Sequence, residues 1–418
     1  MTEKLSKHIL VTIIFLGLAG ELAWSVENQF FNLFIYNEIA PVPFYVSLMV
    51  AASAITATVT AITMGALSDK IGRRKIFFLV GFPLWALTTA MFPLAGFLSP
   101  ILLAVSVAIA FDCVMTFFGA MASDAVLSAY MTDVTTLQNR GTVNSIREIG
   151  LLIAIFMTYG LSGFIIEVFG YYIFFYLVGA VVGVLGTIGA ILAPEPVLSK
   201  KEQPYWELIG STFRIDDLEK NKDCFLVLLS AMFWGIGFNV MFPFLLIYVE
   251  HHLGYALTEA SIIIAIALFF ALIATIPVGL ITDKIGRKKL AIIAIVIEAI
   301  SLFCFALVQD FIVLVVVAIG LLFAMMLFDV SARTWTKDLF PEDKRGQFSG
   351  YFILFTVLGG MVIGPLIGGY FAETFGTPIV IDNIPGFVPT PIIFIIAGLM
   401  ILLAIIPLIK AKDLLVES

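Results

Sequence analysis

Twelve stretches of this chain are apolar for about 20 residues or more, and that repetition limits what it can fold into. They run over 9–36, 43–67, 76–97, 100–131, 143–168, 171–193, 224–249, 258–281, 289–308, 311–336, 348–372 and 390–409. A helix of about 20 residues crosses a hydrocarbon core about 30 Å thick. In lipid every backbone N–H and C=O must be satisfied internally, which leaves helices or closed barrels. The stretches are rich in Ile, Leu, Val, Phe and Ala without strict alternation, so helices are expected. The first and fourth are long enough to tilt, break or extend beyond the bilayer. Of 418 residues, 61% are hydrophobic and only 13% charged, against about 25% charged in a soluble domain. The chain therefore reads as an all-α integral membrane protein. A soluble enzyme, a nucleic-acid binder, a secreted disulfide scaffold and a disordered protein are all excluded. Cys113, Cys224 and Cys304 are too scattered for a disulfide framework or a metal site and read as packing residues.

The basic residues orient the spans. With both termini in the cytoplasm, all 23 Lys and Arg fall on one side or at its edge. The groups are Lys4 and Lys7; Lys70 to Lys75; Arg140 and Arg147; the central loop; Lys284 to Lys289; Arg333 to Arg345; and Lys410 with Lys412. That is the positive-inside pattern, and it predicts a multi-pass protein of the cell membrane. A signal peptide ending near Gly17-Leu18-Ala19 is the competing reading of the N-terminus. Cleavage there would leave eleven spans and break the repeat described next, so twelve spans are preferred.

The chain carries its own duplicate. GALSDKIGRRK (Gly65 to Lys75) matches GLITDKIGRKK (Gly279 to Lys289) at an offset of 214. Asp124, Asp133, Arg140 and Gly141 match Asp329, Asp338, Arg345 and Gly346 at an offset of 205. Each match falls at the same place in its half, the layout of many secondary transporters. The expected organisation is an N-terminal six-helix bundle over 1–193, a cytoplasmic linker over 194–223 and a C-terminal six-helix bundle over 224–418. The amphipathic piece Trp206-Glu207-Leu208-Ile209 in the linker is expected on the inner membrane surface.

The G-x-L-x-D-x-x-G-R-[RK]-[RK] loop, present twice with small departures at Ala66 and Leu280-Ile281, resembles the signature of the major facilitator superfamily. The resemblance spans the whole chain and implies two pseudo-symmetric six-helix bundles that rock about a central cavity. It also implies a gating network from Gly65, Asp69, Gly72, Arg73, Asp133 and Arg140, mirrored by Gly279, Asp283, Gly286, Arg287, Asp338 and Arg345. Gly65 and Gly279 permit close helix approach, and Gly72 and Gly286 permit the tight reversal. The carboxylates at helix ends can pair with Arg or accept backbone N–H bonds. Small residues at Gly179, Gly183, Gly186 and Gly189 read as packing. Gly360, Gly364, Pro365, Gly368 and Gly369 read as packing or a bend that moves in gating.

Charges inside the membrane cost a few kcal/mol unless paired or wetted, so function is sought there. Glu21, Asp112 and Glu298 fall near mid-bilayer, and Asp124 and Asp329 lie nearer the cytoplasm. Glu21 and Asp112 are expected to stand apart from any cation and to carry protons, with Asp124 and Asp329 as further candidates for coupling. Asp329 has Arg333 one turn on, the spacing of a structural ion pair, and Asp124 is placed to meet Arg147. By helical geometry Glu27 points away from the Glu21 face and is free to serve another contact. Glu298, on a helix peripheral in the resembling family, is expected to be packed or protonated. Trp24, Ser25, Asn28, Asn32, Thr116, Trp234 and Asn239 form the polar and aromatic stripes expected to bind substrate.

The cavity has no Lys or Arg at mid-depth, so an anionic substrate is not expected. No P-loop, metal-ligand cluster or nucleophile–base pair appears, so the chain is read as no enzyme, without cofactor, nucleic-acid partner or metal. The leading expectation is a monomeric symporter for a neutral polar solute such as a sugar, driven by H+ or Na+. Asp124, Asp133, Arg140 and Arg147 also resemble the pattern of glycoside–pentoside–hexuronide cation symporters. A drug/proton antiporter is the second reading, favoured by 39 Phe and 14 Met. A non-transporting membrane sensor is the third.

Overall fold

The computed structural model describes residues 6–136, 139–196, 205–211, 221–341 and 345–412. Within these, side chains at 140–142, 144, 145, 148, 207, 208, 211, 275–284, 345–347 and 349 lie outside the description. Ten helices among the described residues are long and apolar enough to cross a membrane. They include Lys7–Ile39, Pro43–Ile71, Lys75–Phe97, Ile101–Asp133, Lys222–His252, Phe311–Asp338 and Ile392–Lys410.

Two places explain how this relates to the twelve expected stretches. Arg140–Leu192, 53 residues, holds two of the expected stretches with no loop between them. Gly170 interrupts it at φ 81° and ψ 166°, a conformation open to a residue without Cβ, so two helices meet there. Arg287–Phe305 has 19 residues and opens with Arg287, Lys288 and Lys289, which lower the apolar character of its first turn.

The helices pack into two compact units. One takes in residues 1–39 and 52–209, the other residues 40–51 and 210–418. Pro43–Ile71 thus starts among the contacts of the second unit. Its Ser47 hydroxyl donates to the Pro365 carbonyl at 2.6 Å, and the Phe44 N–H donates to Glu373 Oε1 at 3.1 Å.

In the first unit an aromatic cluster fills the core: Phe31 stacks on Phe92 with ring centroids 3.8 Å apart, edged by Phe175. The small residues of 171–192 serve close contact, as expected. A Cβ at Gly186 would stand 2.6 Å from Phe82, and one at Gly189 2.7 Å from Leu16. In the second unit a Cβ at Gly364 would stand 2.6 Å from the Ile236 carbonyl oxygen. The helix that holds Gly364 is widened by a π segment over Leu354–Gly359.

An antiparallel hairpin, Thr377–Ile381 paired with Ile384–Val388, joins the last two spanning helices. Asp382 and Asn383 form its two-residue turn at φ 49° and 63°, the geometry of the turns that match strand twist. This hairpin departs from the all-helical expectation. The Phe387 N–H donates to the Pro41 carbonyl at 2.9 Å, which seats the second strand on the segment before Pro43–Ile71.

A buried carboxyl pair and the arginine network

The first helix is α-helical to Val26 and then widens into a π turn over Glu27–Phe31. Ile101–Gly119 likewise runs into a π segment over Ala120–Leu127. Such segments insert residues into a regular helix and occur often at functional sites. Glu27 stands at the start of the first one and faces Asp112. Both side chains are buried, with 7% and 1% of their surface exposed. The carboxyls lie within hydrogen-bond reach of each other. The Thr116 hydroxyl donates to Glu27 Oε1 at 2.9 Å, and Ser53 hydrogen-bonds Asp112. Among the described residues Glu27 Oε2 and Asp112 Oδ1 have no donor. Ionised carboxylates are acceptors only, so a hydrogen bond between these two groups requires a proton on one of them.

The helical wheel placed Glu27 away from the Glu21 face and open to another contact, and that contact is Asp112; the pairing itself was not expected. Thr116, one of the residues expected to bind substrate, donates to Glu27.

Glu21 departs from expectation. It is not apart from any cation: its Oε1 lies 3.4 Å from an Arg147 guanidinium nitrogen. Arg147 sits near the start of Arg140–Leu192, and its long side chain reaches along the adjacent helix Lys7–Val26. Asp124 is within electrostatic reach of both Glu21 and Arg147. One guanidinium thus serves two acids, whereas the Glu27–Asp112 pair is held by hydroxyls. Asp329 meets Arg333 at 2.5 Å, the expected i,i+4 pair.

The polar stripes turn their donors inward. Ser25 Oγ donates to the Glu21 carbonyl at 2.7 Å, Asn28 Nδ2 to Trp24 at 2.8 Å, and Asn32 Nδ2 to Asn28 at 2.8 Å. Asn239 Nδ2 does the same to Gly235 at 2.8 Å. Each bond is to a carbonyl one turn back on its own helix. The aromatic members pack instead: Trp24 lies 5.0 Å from Trp85, and Trp234 stacks on Phe328 at 4.8 Å. A cavity of about 230 Å³ in the same unit as Trp24 is lined by Leu22, Val26, Leu161, Phe174 and Val178, with Thr158 and Ser162 its only hydroxyls.

The signature loop assembles around an arginine that the sequence did not select. Arg74, only 4% exposed, pairs with Asp69 at 2.8 Å and Asp133 at 2.9 Å and also donates to Ser68. Arg73 is exposed. Gly72, at φ 68°, turns the chain so that the second arginine points inward. Gly65 faces Ala125, with 3.8 Å left for a Cβ. Glu195 accepts from the Arg74 N–H at 2.5 Å, so the end of one helix caps the start of another. In the second unit Gly286, at φ 90°, directly precedes Arg287–Phe305, and there the first arginine after the glycine, Arg287, pairs with Asp338. Gly279 lies within Leu257–Ile285; its surroundings and the side chains of Arg140, Asp283 and Arg345 lie outside the description.

Two bundles of spanning helices, each with a signature loop closed by Arg and Asp, define a membrane transporter fold. The sequence model of the Major Facilitator Superfamily matches residues 13–234 and 224–413, and the chain belongs to that family. It is 28% identical to an uncharacterized MFS-type transporter of Methanocaldococcus jannaschii, over 74% of this chain and 75% of the relative. It is 23% identical to multidrug resistance protein 2 of Bacillus subtilis, over 77% and 78% of the two chains. The nucleoside transporter NupG superposes with a TM-score of 0.74 at 16% identity, over 97% of this chain and 100% of that one. The inward-open xylose transporter XylE from E. coli does so at 0.70 and 17%, over 97% and 96%. At such identities these two structures show the fold alone. The chain is a transporter and not an enzyme.

Proposed function

We propose that this chain is a proton-driven antiporter that exports lipophilic, amphipathic compounds across the cell membrane, with both termini in the cytoplasm. The Glu27–Asp112 pair carries the reading. Two buried carboxyls that must share a proton form a site that can be loaded and emptied as access alternates. A proton taken up from outside neutralises the pair, and its release inside restores the charge. Substrate leaves in the opposite direction.

The nature of the substrate is supported by what the polar side chains do. A sugar needs donors and acceptors aimed at its hydroxyls, yet Ser25, Asn28, Asn32 and Asn239 spend donors on their own helices. Each thus has one donor fewer for a sugar, and the neighbouring Trp24 and Trp234 pack on other rings. Among the relatives, the B. subtilis protein and a Dickeya zeae protein, 30% identical over 38% of this chain and 40% of its own length, are named for multidrug resistance.

The test uses purified protein in liposomes with a fluorescent lipophilic cation inside. An inward proton gradient should drive the cation out, and Glu27→Gln or Asp112→Asn should lower that rate by about tenfold or more. Gradient-driven uptake of a sugar, with no effect on the cation, would replace the antiporter by a sugar symporter.

A further inference from the structure

A third buried carboxyl lies in the other unit, on a helix that sequence reasoning set at the periphery. Glu298, at the middle of Arg287–Phe305, is 0% exposed. The Trp234 indole N–H donates to its Oε2 at 2.7 Å, and its Oε1 has no hydrogen-bond partner. Trp234 stacks on Phe238 at 5.5 Å and 12° and on Phe328 at 4.8 Å and 24°. Phe238 in turn stacks on Phe242 at 4.7 Å. The indole therefore joins a buried acid to a run of rings spaced one turn apart along Lys222–Met241 and the turn that follows.

We propose that Glu298 is a second protonation site of the transport cycle and that its proton sets whether the Trp234 indole stays docked on it. The proposal rests on the proton-driven reading above. An ionised carboxylate accepts the indole N–H as a charge-assisted bond, roughly twice as strong as a neutral one. With no cation beside it, the carboxylate depends on that donor. Once protonated, Glu298 no longer needs Trp234, and the ring is released to shift along its stacking partners. Protonation is thereby linked to the aromatic surface of the second unit.

The charged groups on the neighbouring helices are Asp329, Arg333, Lys337 and Asp338 on Phe311–Asp338, and Lys222 and Asp223 at the start of Lys222–Met241. Glu259 on Leu257–Ile285 and Lys410 on Ile405–Lys410 complete the set among the described side chains, and Ile392–Leu403 carries none. Asp329 is occupied by Arg333. Among the described residues no charge acts on Glu298; its only polar interaction is with Trp234.

The experiment titrates tryptophan emission of the full chain in lipid nanodiscs against pH, taking the difference between the parent and Trp234→Phe. A titrating component is expected in the parent and in Glu27→Gln, and its loss is expected in Glu298→Gln. Should Glu298→Gln fail to fold, Trp234→Phe, which keeps a ring in the stack, reports instead. It should move the pH midpoint of gradient-driven transport by about half a unit or more. A titrating component that survives in Glu298→Gln, or an unmoved midpoint in Trp234→Phe, makes Glu298 a packing residue and overturns the proposal. A titration lost in Glu298→Gln while no proton gradient drives transport would leave the Glu298–Trp234 switch in place and remove the antiporter reading instead.

Discussion

The Thr116 hydroxyl donates to Glu27 Oε1 at 2.9 Å, across two helices whose sequences stand 89 residues apart at these positions. That bond steadies one member of the carboxyl pair while leaving the other face of Glu27 to Asp112. A hydrogen bond to a charged group contributes about 1.5–3 kcal/mol. Thr116→Val, which keeps the shape and removes the donor, should therefore slow proton-driven transport by roughly ten- to a hundredfold. Thr116→Ser should keep most of it. Equal rates for the two variants in liposomes would show that the hydroxyl does not matter.

Adjacent arginines should behave very differently. Arg74 is buried against Asp69 and Asp133, and removing one partner of a buried pair costs about 3–5 kcal/mol. Some of that is screened, because Asp69 and Asp133 are partly exposed. Arg74→Ala should lower the thermal unfolding temperature in detergent clearly. The exposed Arg73 should tolerate Ala within about 0.5 kcal/mol. The reverse order would contradict the Arg74 network.

Gly364 faces the Ile236 carbonyl oxygen with 2.6 Å available for a Cβ. Gly364→Val has no flexible neighbour to displace, since the obstacle is backbone. Overpacking of this kind costs about 1–3 kcal/mol. Gly17, which has open space around its Cβ position, is the control, and Gly17→Ala should unfold near the parent temperature. A Gly364→Val protein as stable as Gly17→Ala would mean that the two helices are not in close contact.

The hairpin offers a local test. Asn383 sits at φ 63°, where a β-branched side chain is strained by about 1–2 kcal/mol and Gly is not. Asn383→Val should speed hydrogen exchange across Thr377–Val388 and Asn383→Gly should leave it unchanged. Identical exchange in both would remove the two-residue turn from the fold.

Much of the molecule could be read from the chain alone, and the boundary is instructive. The apolar runs located the spanning helices because burial in hydrocarbon is a local demand on about 20 residues at a time. The pairing of Asp329 with Arg333 was visible because one helical turn separates them. Arg74 was not, since it and Arg73 are equivalent in sequence and only the turn at Gly72 chooses which points inward. Glu298 was expected to be packed or protonated, and it is buried, but position in the chain does not reveal that Trp234 of another helix donates to it.

Sequence by itself thus determined that the chain is a repeated helical membrane protein, with its charges at helix ends and a few acids between. Tertiary structure alone decided which acids meet. Helix period and hydropathy act over neighbouring residues, whereas Glu27 reaches Asp112 only through the packing of two distant helices. The proposed proton exchange depends on that juxtaposition, which no single helix contains.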